Sequence, residues 1–102
     1  MAIIARFCLD VPFGKKADLT RVIKKWDPMS EELGFPRPQV LIGSIGAPES
    51  RVEINYSFKN LAALEAVWAK LNDPRMVEYQ KDMAPFVVPA SHHWQIFRVQ
   101  EN

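Results

Sequence analysis

The residues able to do chemistry in this sequence are few, and they gather in segments with a strand-like pattern. His92 and His93 are adjacent and stand where the last such segment, residues 92–99, begins. An imidazole titrates near neutrality, so either could serve as a general base. Neighbours on a strand point to opposite faces, which stops the pair from chelating one metal together. Arg6 and Glu53 fall in two alternating segments and are expected on one sheet face. Such a pair can anchor a carboxylate, phenol or carbonyl of a ligand; it can equally fix strand register or link two copies of the chain. Asn55 and Ser57 continue the series from Glu53 at two-residue spacing and could add orienting hydrogen bonds. Cys8 lies between Arg6 and Asp10 on the same face, where a guanidinium would favour the thiolate. A lone cysteine is also commonly a small buried hydrophobe. Trp94 belongs to a strand whose two alternating sets, His92, Trp94, Ile96, Arg98 and His93, Gln95, Phe97, Val99, are both mixed, so periodicity does not assign its face. The candidate catalytic residues are therefore His92 and His93, and the candidate ligand-binding residues are Arg6, Cys8, Glu53, Asn55, Ser57 and Trp94. One cysteine and two histidines do not make the usual zinc spacing. Neither a metal nor a cofactor is expected.

These residues need elements to hold them. In residues 3–11, Ala5, Phe7, Leu9 and Val11 alternate with Arg6, Cys8 and Asp10, which reads as a strand. From Lys15 the period becomes helical, with Leu19, Val22, Ile23, Trp26 and Met29 on one face. Asp27-Pro28 followed by Glu31 has the form of a cap and a first helical turn, so a kink or a second short helix ending near Gly34 is expected. Residues 39–46 and 51–58 read as strands joined by a turn at 46–50. The second has the cleanest alternation in the chain: Val52, Ile54, Tyr56 and Phe58 against Arg51, Glu53, Asn55 and Ser57. Asn60 can cap a helix carrying Leu61, Leu64, Val67, Trp68 and Leu71. Asp73-Pro74 opens a shorter helix with Met76, Val77 and Met83. Trp26 and Trp68 lie on these apolar stripes and are expected in the core.

Composition bounds what remains. A chain of 102 residues is one small domain, residues 1–102. Hydrophobic residues at 48% and charged residues at 25% are globular values. Thirteen basic and twelve acidic residues leave a net charge of +1, which offers no field for nucleic acid or an anionic membrane. One cysteine excludes an internal disulfide, and no apolar run reaches the roughly 20 residues of a membrane span. A cytoplasmic location is expected.

The order strand, helix, strand, strand, helix, strand is the α+β ferredoxin-like plan, an antiparallel four-stranded sheet covered by helices on one side. Its other face would carry Arg6, Cys8, Asp10, Glu53, Asn55 and Ser57, a mixed surface suited to a semi-enclosed cavity. The stretch from Val52 to Val99 resembles the C-terminal half of NIPSNAP-type domains at Leu61, Ala63, Leu64, Asp73, Pro74, Tyr79, Ala84 and Pro85; Met76 stands where that family usually has an aromatic. The resemblance implies a dimeric α/β barrel in which two sheets face each other. It implies a homodimer that binds an apolar or aromatic small molecule inside that barrel. Relatives of the superfamily widen the range. Haem-degrading ones place a histidine on the second helical region, and residues 60–84 contain none. Cofactor-independent monooxygenases acting on quinol-like aromatics pair a strand asparagine with a helix tryptophan, for which Asn55 and Trp68 are the matching types. Polyketide-type cyclases use a histidine and a tyrosine, which His92 or His93 with Tyr79 would supply.

Overall fold

Alternation in the first and third strands sets the sheet. In the computed structural model, which describes residues 1–100, β1 (Ile3–Asp10) lies at the centre, paired antiparallel with β3 (Arg51–Phe58) on one side and β4 (His93–Arg98) on the other. β2 (Gln39–Ile42) adds to the far side of β3, giving the order β2-β3-β1-β4 of a ferredoxin-like sheet. The helices α1 (Lys16–Glu32), α2 (Leu61–Trp68) and α3 (Pro74–Met83) all come from the two crossovers, and α3 runs into a single 3-10 turn, Ala84–Phe86.

Strand parity is as expected. Ile3, Ala5 and Leu9 join Val52, Ile54, Tyr56 and Phe58 on the helix side, where all are buried. They meet Leu19 and Ile23 from α1, Leu64 and Val67 from α2, and Met76, Tyr79 and Met83 from α3. The last three lie at i, i+3 and i+7, one face of a helix. The caps also form: Asn60 accepts from the Ala63 amide at 2.9 Å, and Asp73 accepts from the Arg75 amide at 2.9 Å with Pro74 in the first turn.

Two boundaries differ from expectation. The first helix does not break at Pro28; it continues unbroken to Glu32. Proline removes the hydrogen bond to the carbonyl four residues earlier, that of Lys24, and its ring crowds that carbonyl; Lys24 faces water, where the carbonyl can tilt outward. Leu19, Ile23 and Ser30 are buried on either side of that point, so tertiary packing carries the helix across the gap. Its end just before Gly34 is as expected: Gly34 has a φ of +96°, which suits glycine, and the Phe35 amide donates back to the Ser30 carbonyl at 3.0 Å. The second difference is β2, which stops at Ile42 and does not reach residue 46. Gly43 comes so close to the Pro48 carbonyl that any Cβ would overlap it, and its amide donates to the Arg51 carbonyl at 2.7 Å. The turn therefore begins at Gly43 and not at Gly46. No helix among the described residues is long and apolar enough to cross a membrane.

Candidate functional site

The two faces of the sheet hold different chemistry. On the face away from the helices, register places Gln39, Asn55, Arg6 and Gln95 in one row and Leu41, Glu53, Cys8 and His93 in the next. Arg6 Nε donates to Asn55 Oδ1 at 3.0 Å and lies 3.4 Å from Glu53 Oε1. Arg51 continues the series, 3.7 Å from Glu53 Oε2 and 3.6 Å from Asp10 Oδ1. The Arg6 guanidinium also sits over the Phe97 ring at 4.9 Å. Arg6, Glu53 and Asn55 thus form one polar ladder across adjacent strands, joined by a hydrogen bond and an ion pair. Ser57 lies on the same face but is exposed and outside it.

Cys8 is fully buried, with its sulfur 3.7 Å from Gln95 Oε1. Burial pushes its thiol pKa up and Glu53 adds to the rise, outweighing Arg51 and Arg6. The expected activation by a neighbouring guanidinium is therefore reversed. His93 points to the same face and is exposed, its Nδ1 3.4 Å from the Ser91 carbonyl.

The other histidine goes the opposite way. His92 lies beside Phe7, with ring centroids 6.1 Å apart, and Trp94 packs on Phe7 at 4.8 Å. Trp94 also meets Trp68 at 5.0 Å and Tyr56 at 6.2 Å, which settles the ambiguous parity of the last strand. Phe7 pairs with Trp94 across the ladder, so Trp94 must share its helix-side face. The loop that delivers His92 is fastened to the end of β1: the Val88 amide donates to the Asp10 carbonyl at 2.8 Å, and Ser91 Oγ accepts from the Asp10 amide at 3.0 Å. Ala90 turns the chain there with a φ of +66°.

His92 and Trp94 are two walls of an open cleft of about 570 Å³ between the sheet and α3. Its floor is Phe7, Ile54 and Tyr56, and α3 contributes Met76, Tyr79, Gln80 and Met83. Asn72, Gln80 and His92 are its exposed polar members. The far wall, α3, is tied to α1 by Asp82, whose Oδ2 accepts from Lys25 Nζ and Trp26 Nε1, both at 2.9 Å. These two hydrogen bonds hold the Asp82 carboxyl below the usual carboxylate range. Trp26 also stacks on Tyr79 at 5.9 Å, which fixes that ring in the wall.

Tyr56 is not among the sequence-derived candidates because it falls on the apolar stripe of β3, and Tyr79 enters only as the tyrosine of the cyclase-like pairing with a histidine. Both line the cleft, and neither hydroxyl is among the buried polar atoms of the described residues left without a partner. Burial pushes both phenol pKa values far above the ordinary range, and Asp27 on α1 reinforces the rise at each. A buried phenol normally finds a partner, so a tyrosine on an inward stripe is the signal that could have pointed here.

Of the sequence-derived candidates, then, His92 and Trp94 meet in the cleft. Arg6, Cys8, Glu53, Asn55, Ser57 and His93 lie on the opposite face of the sheet. Asn55 and Trp68 are likewise separated by the sheet, so they do not form the asparagine–tryptophan pair expected of a monooxygenase. Tyr79 and His92 do share one cavity. Among the described residues, no three histidine, cysteine, aspartate or glutamate side chains are grouped to hold a metal ion.

No protein-family profile and no curated protein sequence matches the chain. Solved structures do. A NIPSNAP-like domain protein from Burkholderia xenovorans, described as uncharacterized, superposes with a TM-score of 0.79 at 17% identity, covering 97% of this chain and 85% of that one. A NIPSNAP family protein from Agrobacterium tumefaciens gives a TM-score of 0.78 at 16% identity, covering 99% and 95%. SnoaB, a cofactor-independent oxygenase from Streptomyces nogalater, gives 0.72 at 11% identity, again covering 99% and 95%. The chain therefore has the ferredoxin-like α+β fold of NIPSNAP-family proteins, a fold that also serves a cofactor-independent oxygenase.

Proposed function

We propose that this protein binds an apolar or aromatic small molecule in the cleft between the sheet and α3, and that it does so as a homodimer joined through the open sheet face. The observation that carries the first part is the cleft itself. Its volume of about 570 Å³ falls within the usual range for small-molecule sites, and aromatic and thioether side chains converge on it with a few polar groups. This moves the binding site from the barrel interior expected from sequence to the other side of the sheet.

Surface area supports the dimer. The chain exposes 6692 Å², whereas a monomer of this mass is expected to expose roughly 5,900 Å². The excess, roughly 800 Å², is about what one partner buries in a standard interface. The open face offers Leu41 and Phe97 as exposed apolar contacts around the Arg6–Glu53 ladder. In the dimer that ladder fixes how the two sheets align. Sedimentation at micromolar concentration tests this: a dimer is expected, and a stable monomer contradicts it.

A second reading is favoured by the fold shared with an oxygenase and by the presence of His92 and Tyr79 in one cavity. Here His92 takes the proton of a bound phenol, and the electron-rich phenolate reacts with dioxygen without a cofactor. Incubating the protein with hydroxylated naphthalenes separates the two readings. Binding without oxygen uptake identifies a binding protein; uptake that is lost in His92→Ala identifies an oxygenase. No binding of any of these compounds contradicts both.

A further inference from the structure

Two large apolar side chains belong neither to the core nor to the cleft. Phe13 and Ile45 are wholly exposed, more so than any other large hydrophobic residue among those described. Each stands in a turn just before a glycine: Phe13 before Gly14, with a φ of +79°, and Ile45 before Gly46, with a φ of +83°. In the first turn the Lys15 amide donates to the Pro12 carbonyl at 3.1 Å, so Phe13 and Gly14 take the central positions of a type II turn. Space is open around both glycines, with no atom within 4 Å of where a Cβ would stand. Both turns are thus free loop tips.

The two tips lie at the same end of the sheet. Phe13 follows the end of β1, whose Asp10 is paired with Arg51 at the start of β3, and Ile45 lies in the connection from β2 to β3. The loops are fastened together: the Val11 amide donates to the Ser50 carbonyl at 2.9 Å, and Ser50 Oγ donates to Asp10 Oδ1 at 3.0 Å. Only β3 stands between β1 and β2, so their ends are two strand spacings, roughly 10 Å, apart. Tips held in this way can meet one surface together. They sit at the strand ends and not on the open sheet face through which the dimer is proposed to form.

The surroundings say what kind of surface fits. Lys15 and Lys16 follow Phe13 directly, and the acid closest to them in sequence, Asp18, is engaged by Arg21 at 2.8 Å. Glu49 is the single acid of residues 43–50. Small residues, Gly14 at one tip and Ser44, Gly46 and Ala47 at the other, keep the two apolar side chains from forming a continuous patch. A protein partner would need two pockets at the matching separation. The acyl region of a bilayer accepts both side chains without a matched shape, and anionic headgroups complement the two lysines.

We propose that this end of the sheet docks on an anionic phospholipid surface, with Phe13 and Ile45 entering the acyl boundary and Lys15 and Lys16 meeting the headgroups. The net charge of +1 gives little attraction at a distance, so insertion of the two tips holds the protein and the lysines set the lipid preference.

Co-sedimentation of the full chain with vesicles tests it, using phosphatidylcholine mixed with phosphatidylserine and phosphatidylcholine alone. Binding to the mixed vesicles is expected, with weaker binding to the uncharged ones. Phe13→Ser and Ile45→Ser should each weaken binding at least about 10-fold, since each takes a large apolar side chain out of the acyl boundary. Lys15→Ala and Lys16→Ala should each weaken it about 5-fold on the mixed vesicles and change nothing on phosphatidylcholine alone. Leu61→Ser is the control: this exposed side chain follows β3 at the other end of the sheet, and its loss should have no effect. None of these side chains is buried, so the variants keep the fold. No binding to the mixed vesicles, equal binding to both kinds, or tip variants that bind like the unmodified chain overturns the proposal. So does a loss in Leu61→Ser as large as that in the tip variants. Sedimentation without lipid checks the other occupant: if Phe13→Ser or Ile45→Ser lowers the chain's own association, a second copy covers the tips and the proposal fails.

Discussion

Trp94 joins the fold to the cleft, so its replacement gives the most informative perturbation. It meets three rings, Phe7 at 4.8 Å, Trp68 at 5.0 Å and Tyr56 at 6.2 Å. Each aromatic pair contributes about 0.5–1.5 kcal/mol beyond the area it buries. Trp94→Leu keeps an apolar side chain in place but removes all three pairs. Because Trp94 is only partly buried, the lower end of that range applies, about 1.5 kcal/mol. The smaller side chain also gives up roughly 40 Å² of buried apolar surface, about 1 kcal/mol at the usual coefficient. The sum, about 2.5 kcal/mol, lies below the 3–5 kcal/mol typical of truncating a fully buried tryptophan to alanine. For a domain of this size it corresponds to a fall in melting temperature of roughly 10–20 °C. The assay is urea unfolding followed by far-ultraviolet circular dichroism, at one protein concentration so that association does not intrude. Ile45→Ala, on a side chain wholly in solvent, should change stability by less than about 0.5 kcal/mol and serves as the control. Trp68→Leu closes a double-mutant cycle, with a coupling of about 0.5 kcal/mol expected between the two rings. A cost below about 1 kcal/mol, or additive single mutants, would refute the ring cluster as the cleft's structural wall.

Three further outcomes follow from the same geometry. The chain has only two tyrosines, both in the cleft with raised pKa values, so tyrosinate absorbance should not develop near pH 10 in the folded protein. A raised folded pKa contributes stability that is complete below the unfolded value of about 10 and is lost as pH rises toward the folded one. The absorbance and loss of ellipticity should therefore appear together in an alkaline titration; absorbance preceding unfolding would show the hydroxyls to be solvated. Asp82 shows the opposite sign. Its folded pKa is depressed, so the stability it gives is present above about pH 4 and disappears as pH falls through the folded value. Asp82→Asn should accordingly lower the melting temperature at neutral pH, and the gap from the unmodified protein should close on acidification. A gap independent of pH would mean that the ionised carboxylate does not tie α3 to α1. Cys8, fully buried with a raised thiol pKa, should react with an aromatic disulfide reagent only as fast as the protein unfolds. Rapid modification of the folded protein would contradict its placement.

Much of the fold could be read before any coordinates. The β3 boundaries, the caps at Asn60 and Asp73, and the inward faces of β1 and β3 follow from alternation and from residue types that bond their own backbone. Pro28 reads as a break because its lost hydrogen bond and crowded carbonyl are local signals, whereas Leu19 and Ile23 before it and Ser30 after it are held by packing that a local pattern does not record. The end of β2 was set by the approach of Gly43 to Pro48, a contact between residues on opposite arms of the turn.

The candidate site was only half legible. Strand parity correctly grouped Arg6, Glu53 and Asn55, but parity says which side a residue faces and nothing about where space is left. The cleft exists because α3 is held to α1 by Asp82 while its inner face bridges toward β3 and β4. That arrangement depends on Lys25, Trp26 and Asp82 meeting across 56 residues or more of sequence. Trp94 and His92 could be assigned only once β4 was paired with β1. Tyr56 reads as packing because its stripe is apolar, and Tyr79 is suggested only by the resemblance to polyketide-type cyclases, not by its own pattern.

The central claim is that the ligand site lies between the sheet and α3, not on the open sheet face. The four methionines are natural reporters: Met76 and Met83 line the cleft, whereas Met1 and Met29 do not. Protein carrying carbon-13 at the methionine methyls would show the answer directly in a titration with 2-acetylnaphthalene. The account predicts that the Met76 and Met83 resonances move and saturate together while Met1 and Met29 stay in place. Unmoved cleft methionines, with the ligand bound or not, would contradict it.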